Sequence, residues 1–248
     1  MQFVMGALAG AAGAVVAADA YPDMMPSLGL SQPKDIELQY FDIAGVAEKI
    51  RFALLIGGVP FKDTRVKFPE WAALKPTTPF GQLPVMQVDG QRFAQSAAML
   101  AFAGKIGGLT PRDPLKALRV DEAVGLDDDF RNKLRPSMQV SGDKTLSDKA
   151  KKAKVKDMRA EITLTHIPYY MTHFEKMLEG SGPGAYLTGD KPTIADAQFL
   201  STLRWLTSGN LDHIPADCVD KYPKIQAFRA RMEARPEIAR YIASLEKK

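Results

Sequence analysis

The 248-residue chain has very little that could serve as a metal ligand or a cross-link. Cys218 is its only cysteine, so no disulfide closes within it and no multi-thiolate metal site exists. The three histidines, His166, His173 and His213, form no ligand cluster. His166 and His173 are seven apart and share a helical face, but a zinc site would want an i, i+4 pair or a third ligand. Long apolar runs are scarce too. The only one, Phe3 to Ala18, is shorter than the roughly 20 residues that a membrane-spanning helix needs. Charge of one sign is not in large excess either, with a formal net charge of +4. Much of it sits in Lys149, Lys151, Lys152, Lys154 and Lys156, where no aromatic residues are interleaved for base stacking. That run reads as a solvated helix face, with an acidic partner or membrane surface as the alternative and no nucleic-acid partner.

What is present is ordinary for a globular protein: 46% hydrophobic and 25% charged residues, enough for one large domain or two small ones. The first 34 residues differ in kind. Met1 to Ala18 carries no charge, and Ala18-Asp19-Ala20 offers a small-x-small cleavage pattern, yet the basic residue expected before a signal core is missing. Tyr21 to Pro33 holds Pro22, Pro26 and Pro33 and reads as a linker. The segment fits a targeting remnant and a docking or anchoring arm equally well. Localisation, cytoplasmic or organellar (plastid or mitochondrial), depends on which it is.

Order begins at Ile36 to Tyr40, which alternates apolar and polar like a half-buried strand. Val46, Ile50, Ala53 and Leu54 then fall at helical spacing before Gly57-Gly58, and a short strand follows near Phe61 to Val66. Pro84 to Val88 and Gln91 to Phe93 flank Asp89-Gly90, a strong hairpin signal. Ser96 is read as the cap of a helix running toward Gly107-Gly108. This βαβ–ββα order predicts a thioredoxin-like α/β domain over 35–107. A linker over 108–114 and an all-helical domain over 115–248 follow. In the latter, Thr193 to Asp196 forms a capping box and apolar residues recur at helical spacing.

Two features of the first domain suggest a peptide ligand. Pro84 opens a strand after Gly81-Gln82-Leu83, where a missing donor and an accessible cis bond leave the preceding backbone free to pair. Gln95-Ser96 stands at a helix start, where free N–H groups favour a carboxylate. Taken with Tyr40-Phe41, Ala47-Glu48, Arg51, Trp71, Lys75-Pro76, Pro79 to Val85, Val88 to Gly90 and the Thr193 to Asp196 box, the chain resembles the glutathione transferase family over residues 36–245. Within that family it is most similar to the tyrosine-type sigma class.

The resemblance implies an enzyme that uses glutathione as co-substrate and no metal. It would conjugate the thiolate to a hydrophobic electrophile, or catalyse a related isomerisation or peroxide reduction. Tyr40 would stabilise the thiolate. Gln95 and Ser96 would hold the γ-glutamyl carboxylate, Leu83 (set by Pro84) would pair with the cysteinyl amide, and Trp71, Lys75 and Gln82 would surround the glycine end. Asp129, or its neighbour Asp128, would reach the partner subunit's glutathione in a homodimer. One departure stands out: sigma-class members usually carry basic residues before the Ala-Glu pair, and this chain has Ile43-Ala44-Gly45-Val46. A weaker thiolate is therefore expected. The alternative is a catalytically weak or inactive scaffold subunit, docked to a larger complex through residues 1–33. A thioredoxin-type redox enzyme is excluded, because the first domain has no cysteine.

Overall fold

The computed structural model describes residues 14–16, 33–182 and 186–246. Strand β2 (Ile36–Phe41) buries Ile36, Leu38 and Tyr40 and leaves Glu37 and Gln39 half-buried, as its alternation dictates. Helix α1 (Glu48–Ile56) leads to β3 (Phe61–Val66), which lies parallel to β2 with Tyr40 opposite Arg65. After a short helix, α2 (Trp71–Leu74), the hairpin of β4 (Val85–Val88) and β5 (Gln91–Ala94) joins the other side of β2, antiparallel to it. Asp89 and Gly90 both take positive φ, 47° and 84°, as a two-residue turn matched to strand twist requires. Asp89 also accepts the N–H groups of Lys34 (2.8 Å) and Asp35 (3.0 Å), which anchors the entry to β2. Helix α3 (Ser96–Ile106) completes the expected thioredoxin-like order.

The sheet has a fifth strand. β1 (Ala14–Val16), from the apolar N-terminal run, pairs antiparallel with β3, Val16 opposite Phe61, giving the order β1-β3-β2-β4-β5. It covers a sheet edge that would otherwise present unpaired backbone groups. The cleavage pattern at Ala18 to Ala20 and the prolines Pro22 and Pro26 lie outside the described residues. Among the described residues, no helix is long and apolar enough to cross a membrane.

Beyond α3 the chain is helical. α4 (Pro114–Gln139) starts at Asp113, whose carboxylate accepts the N–H groups of Leu115 and Lys116, with Pro114 where no donor is needed. α5 (Asp148–Glu161) carries the lysine run, with Lys149, Lys152, Lys154 and Lys156 exposed. It continues through a wider π turn (Ile162–His166) into α6 (Ile167–Gly180). Pro168, just past that turn, has no N–H for the helix ladder, which favours such local rewinding. α7 (Ile194–Leu206), α8 (Pro223–Glu233) and α9 (Pro236–Glu246) follow. Phe174, Phe199 and Phe228 form an aromatic row in the core, with centroids 4.0 and 5.6 Å apart.

Helix α7 is the buried axis of the molecule, packed against α1 on one side and α4 on the other. Its start is fixed by Asp196. One carboxylate oxygen accepts from the Thr193 N–H (2.7 Å) and hydroxyl (2.9 Å), and the other from the Leu187 N–H (2.9 Å). Burial pushes this carboxyl up to about 6, against the pull of those donors. The predicted folding role of the box therefore has three hydrogen bonds behind it.

Asp196→Ala orphans three donors in a buried site. It is expected to lower stability by about 2–4 kcal/mol, a drop in unfolding midpoint of roughly 4–16 °C by circular dichroism. A loss below about 1 kcal/mol would show that the box does not hold α7. Because the folded-state pKa is raised, the acid form contributes stability that is full below about pH 4 and lost as pH rises through about 6. Wild type should therefore lose more stability than Asp196→Asn between pH 4 and 7.

Candidate functional site

One end of the sheet collects most of the residues singled out from the sequence. Gln39 on β2 lies opposite Val85 at the start of β4, and Val85 opposite Ala94 at the end of β5. Just beyond that row come Tyr40 on β2, Leu83-Pro84 before β4, and Gln95-Ser96 after β5. Arg92 reinforces the arrangement, donating to the Thr77 carbonyl (2.7 Å) and to Gln39 Oε1 (3.3 Å). This ties the loop that carries Trp71 and Lys75 to the same end.

Tyr40 is buried, and its hydroxyl accepts a hydrogen bond from the Val46 N–H at 3.5 Å. Burial pushes its phenol above the ordinary value, while the Val46 N–H and the Arg51 cation pull it down. The group thus stays protonated at neutral pH. Its own O–H donates to no acceptor among the described residues. Gly45, at φ +48°, makes this possible: a Cβ there would stand 2.5 Å from the Tyr40 oxygen.

The turn before Gly45 is held by Arg51. This fully buried guanidinium donates to the carbonyls of Ile43 and Ala44 (both 3.2 Å), to Glu48 (3.0 Å) and to Asp63 (3.0 Å). Its Cζ lies 5.9 Å from the Tyr40 ring centroid. Arg51 had no assigned role in the sequence reading. The available signal was three charged residues, Glu48, Lys49 and Arg51, set within an apolar helix. All three are buried.

The glycine-end candidates are more open. Trp71 is half-buried, edge-on to Phe41 at 5.5 Å, and Phe41 stacks on Phe68 at 4.7 Å. Lys75 is exposed, and its aliphatic stem passes over Gly81. Gln82 is exposed as well, while the Leu83–Pro84 peptide is cis and Pro84 is buried.

The start of α3 differs from the sequence-based expectation. Ser96 does not cap the helix. Gln95 occupies the cap position, without a side-chain hydrogen bond, and Ser96 is the first helical residue. The Ser96 hydroxyl is thus uncommitted among the described residues. Gln95 takes φ 75°, ψ 108°, a backbone conformation that non-glycine residues rarely adopt and that concentrates at ligand sites.

Asp129 stands apart from the others. It is exposed on α4, in a cavity with Leu126, Tyr169 and His173 whose lining contains no residue of the sheet domain. Successive helical residues point about 100° apart, so its neighbours face elsewhere. Asp127 is buried against Arg131 (2.8 Å) and Thr202 (2.9 Å). Asp128 accepts from Gln198 (2.9 Å) and pairs with Lys49 (3.5 Å).

Comparison with known proteins agrees with this architecture. Residues 36–104 match the family model for the glutathione S-transferase N-terminal domain, and residues 142–245 that for a glutathione S-transferase C-terminal domain. The chain is 33% identical to glutathione S-transferase 1 of Ascaris suum over 85% of this chain and 97% of that one. It is 31% identical to hematopoietic prostaglandin D synthase of Gallus gallus over 83% and 94%. The solved structure of prostaglandin synthase D of Nilaparvata lugens superposes with a TM-score of 0.73 at 30% identity, covering 84% of this chain and 97% of that one.

The strained backbone at Gln95 gives a direct test of what it serves. Gln95→Gly relieves a conformation that costs on the order of 1–3 kcal/mol, less about 1 kcal/mol for added chain entropy. A net gain of about 1 kcal/mol in chemical denaturation is expected. A loss would mean that the Gln95 side chain, rather than a ligand, sustains the conformation.

Proposed function

The chain belongs to the glutathione S-transferase family, and from that premise we propose that it is a sigma-like transferase in which Tyr40 activates the glutathione thiol. The observation that carries this reading is the Tyr40 hydroxyl. It is buried, protonated, supported by one backbone N–H, and its proton is committed to nothing else among the described residues. A free thiol with pKa about 8.5 is only about 3% ionised at pH 7. A charge-assisted hydrogen bond is worth about 1.5–3 kcal/mol, enough to lower that pKa by about 1–2 units. The sulfur then attacks the electrophile's carbon, forming the S–C bond as a leaving group departs or a π bond opens.

In this reading Gln95 and Ser96, with the N-terminus of α3 behind them, hold the γ-glutamyl carboxylate. The Leu83 backbone lies one residue before Pro84 and past the last registered β2–β4 pair, so it can bond the cysteinyl amide. Trp71, Gln82 and the exposed Lys75 take the glycine end, with Lys75 supplying the cation. In the same reading the electrophile sits against the helical wall, near residues 130–138 and the C-terminal helix. The prostaglandin synthases among the relatives support the sigma-like class and keep a glutathione-dependent isomerase within the proposal. Leu115 and Leu118 on α4, 74% and 63% exposed, form an apolar surface of the kind a second copy covers, so a homodimer is part of the reading. Asp129 on the same helix would reach the partner subunit's glutathione. The scaffold alternative rests on Val46 and the N-terminal arm. The arm's described residues pair with the chain's own sheet, which favours the enzyme.

Spectrophotometric titration of glutathione bound to wild type is expected to show a thiol pKa about one unit or more below that of free glutathione. Tyr40→Phe should return it to about 8.5–9 and reduce kcat/KM by roughly 10–100-fold. Val46→Arg, which adds a cation beside the phenol, should lower the thiol pKa of the complex further. A thiol pKa still near 9 in wild type would sink the catalytic reading.

A further inference from the structure

Tyr241, on the last helix, sits far in sequence from Tyr40 but belongs to the charge cluster behind it. Its ring is buried and meets Phe52 edge-on at 5.9 Å. Its hydroxyl donates to Glu48 Oε2 at 2.9 Å and accepts from Arg65 Nη2 at 3.0 Å. The same Glu48 oxygen accepts from Arg51 Nη1 at 3.0 Å. Asp63 closes the cluster, taking Arg51 Nε on one oxygen (3.0 Å) and Arg65 Nε on the other (2.8 Å). Asp42 adds an outer carboxylate, 3.9 Å from Arg65. Burial first, and then the negative charge of Glu48, push the Tyr241 phenol up, so it remains a donor.

The output of this cluster is backbone geometry. Arg51 holds the carbonyls of Ile43 and Ala44, and Arg65 reaches the Ile43 carbonyl at 3.4 Å. The next two residues are Gly45, which approaches the Tyr40 oxygen, and Val46, whose N–H bonds it. Both guanidiniums that grip this turn are oriented through the Tyr241 hydroxyl, one directly and one through Glu48. Among the described residues, Tyr241 is the one member of the cluster that comes from the helical unit.

We infer that Tyr241 is a positioning residue for the transferase reaction: its hydroxyl, acting through Glu48, Arg51 and Arg65, sets the turn that orients the Tyr40 hydroxyl toward the glutathione sulfur. This rests on the reading of Tyr40 as thiolate stabiliser. The helical unit therefore contributes to thiol activation as well as to electrophile binding, and the tail helix acts on the reaction without touching it.

The test uses Tyr241→Phe, which keeps the ring packing, together with Tyr40→Phe and the double variant in the full chain. Each is assayed with glutathione and an aryl halide across pH. Tyr241→Phe is expected to move the acid limb of kcat/KM upward by about 0.5–1 pH unit. The loss should be roughly 3–10-fold near pH 6.5 and recover at alkaline pH. In the Tyr40→Phe background the same substitution should cause no further shift, because its route to the sulfur is gone. An unmoved acid limb in Tyr241→Phe, or an equal additional loss in the double variant, overturns the inference while leaving Tyr40 in place. If Tyr40→Phe itself leaves the acid limb unmoved, the functional reading fails and the inference fails with it. Should Tyr241→Phe not fold, Arg65→Met removes the other grip on the Ile43 carbonyl and is read in the same way.

Discussion

Arg51 is the constraint around which the sheet domain is arranged. A fully buried guanidinium is tolerated only when carboxylates and carbonyls replace the water it has lost. Here Glu48 and Asp63 supply the charge, Asp63 on Nε and Glu48 with the Ile43 and Ala44 carbonyls on Nη1, while Nη2 is buried without a partner among the described residues. Glu48 comes from its own helix, Asp63 from β3 and the carbonyls from the turn after β2. One side chain therefore fixes α1 against the sheet and sets the path of the turn between them. With Nη2 already lacking a partner, removing either carboxylate would leave a still less compensated buried charge. That need for compensation makes the Gly45–Val46 backbone a defined feature rather than a loose loop.

A second polar network joins the two units. Lys49, next to the Arg51 cluster on α1, donates to Gln198 at 2.8 Å and pairs with Asp128. Gln198 in turn donates to Asp128 and to the Val124 carbonyl at 3.0 Å. Arg131 binds Asp127, Thr202 and Ser201 on the neighbouring turn. Desolvation lowers the pKa of Lys49, which the Asp128 carboxylate counters. Apolar packing between α1 and α7 holds the units together, but these directional contacts specify their register. Because α7 carries Gln198, Ser201 and Thr202 of this second network, capping at Asp196 fixes the position of Gln198, which holds Lys49 beside the Arg51 cluster.

The elements were legible wherever local chemistry decides. Alternation gave β2, Asp89-Gly90 gave the hairpin, and the proline and glycine breaks separated sheet from helices. The positions of Tyr40, Leu83-Pro84 and Gln95-Ser96 at one sheet end follow from that topology alone. What stayed hidden was set by distance along the chain or by backbone conformation. The Tyr241–Glu48 bond spans 193 residues, and although Glu48 stands out as a charge in an apolar helix, nothing in its segment points to Tyr241. The misplaced cap at Ser96 has a different cause. A serine ahead of an apolar helix is the ordinary cap signature, and only the positive φ of Gln95 shows that the chain enters α3 one residue earlier. Asp129 was chosen from three adjacent carboxylates whose directions differ by helical rotation, which composition cannot rank.

Val46 and Arg51 together raise the question of whether a lost cation has been replaced. A guanidinium 5.9 Å from the Tyr40 ring would be a useful positive charge if it stood alone. It does not. Arg51 and Arg65 carry two positive charges, and Glu48 and Asp63, each within 3.0 Å of a guanidinium, carry two negative ones. The carboxylates offset these cations, so Arg51 lowers the Tyr40 pKa less than burial raises it. Arg51 is thus a compensated cation, unlike an unpaired basic side chain at position 46. Its contribution to the proposed chemistry is mainly geometric, exerted through the carbonyls it holds. In the proposed chemistry, thiol activation then rests chiefly on a single hydrogen bond from Tyr40, and the precision with which that bond is aimed matters more than in a site with a second charge to spare.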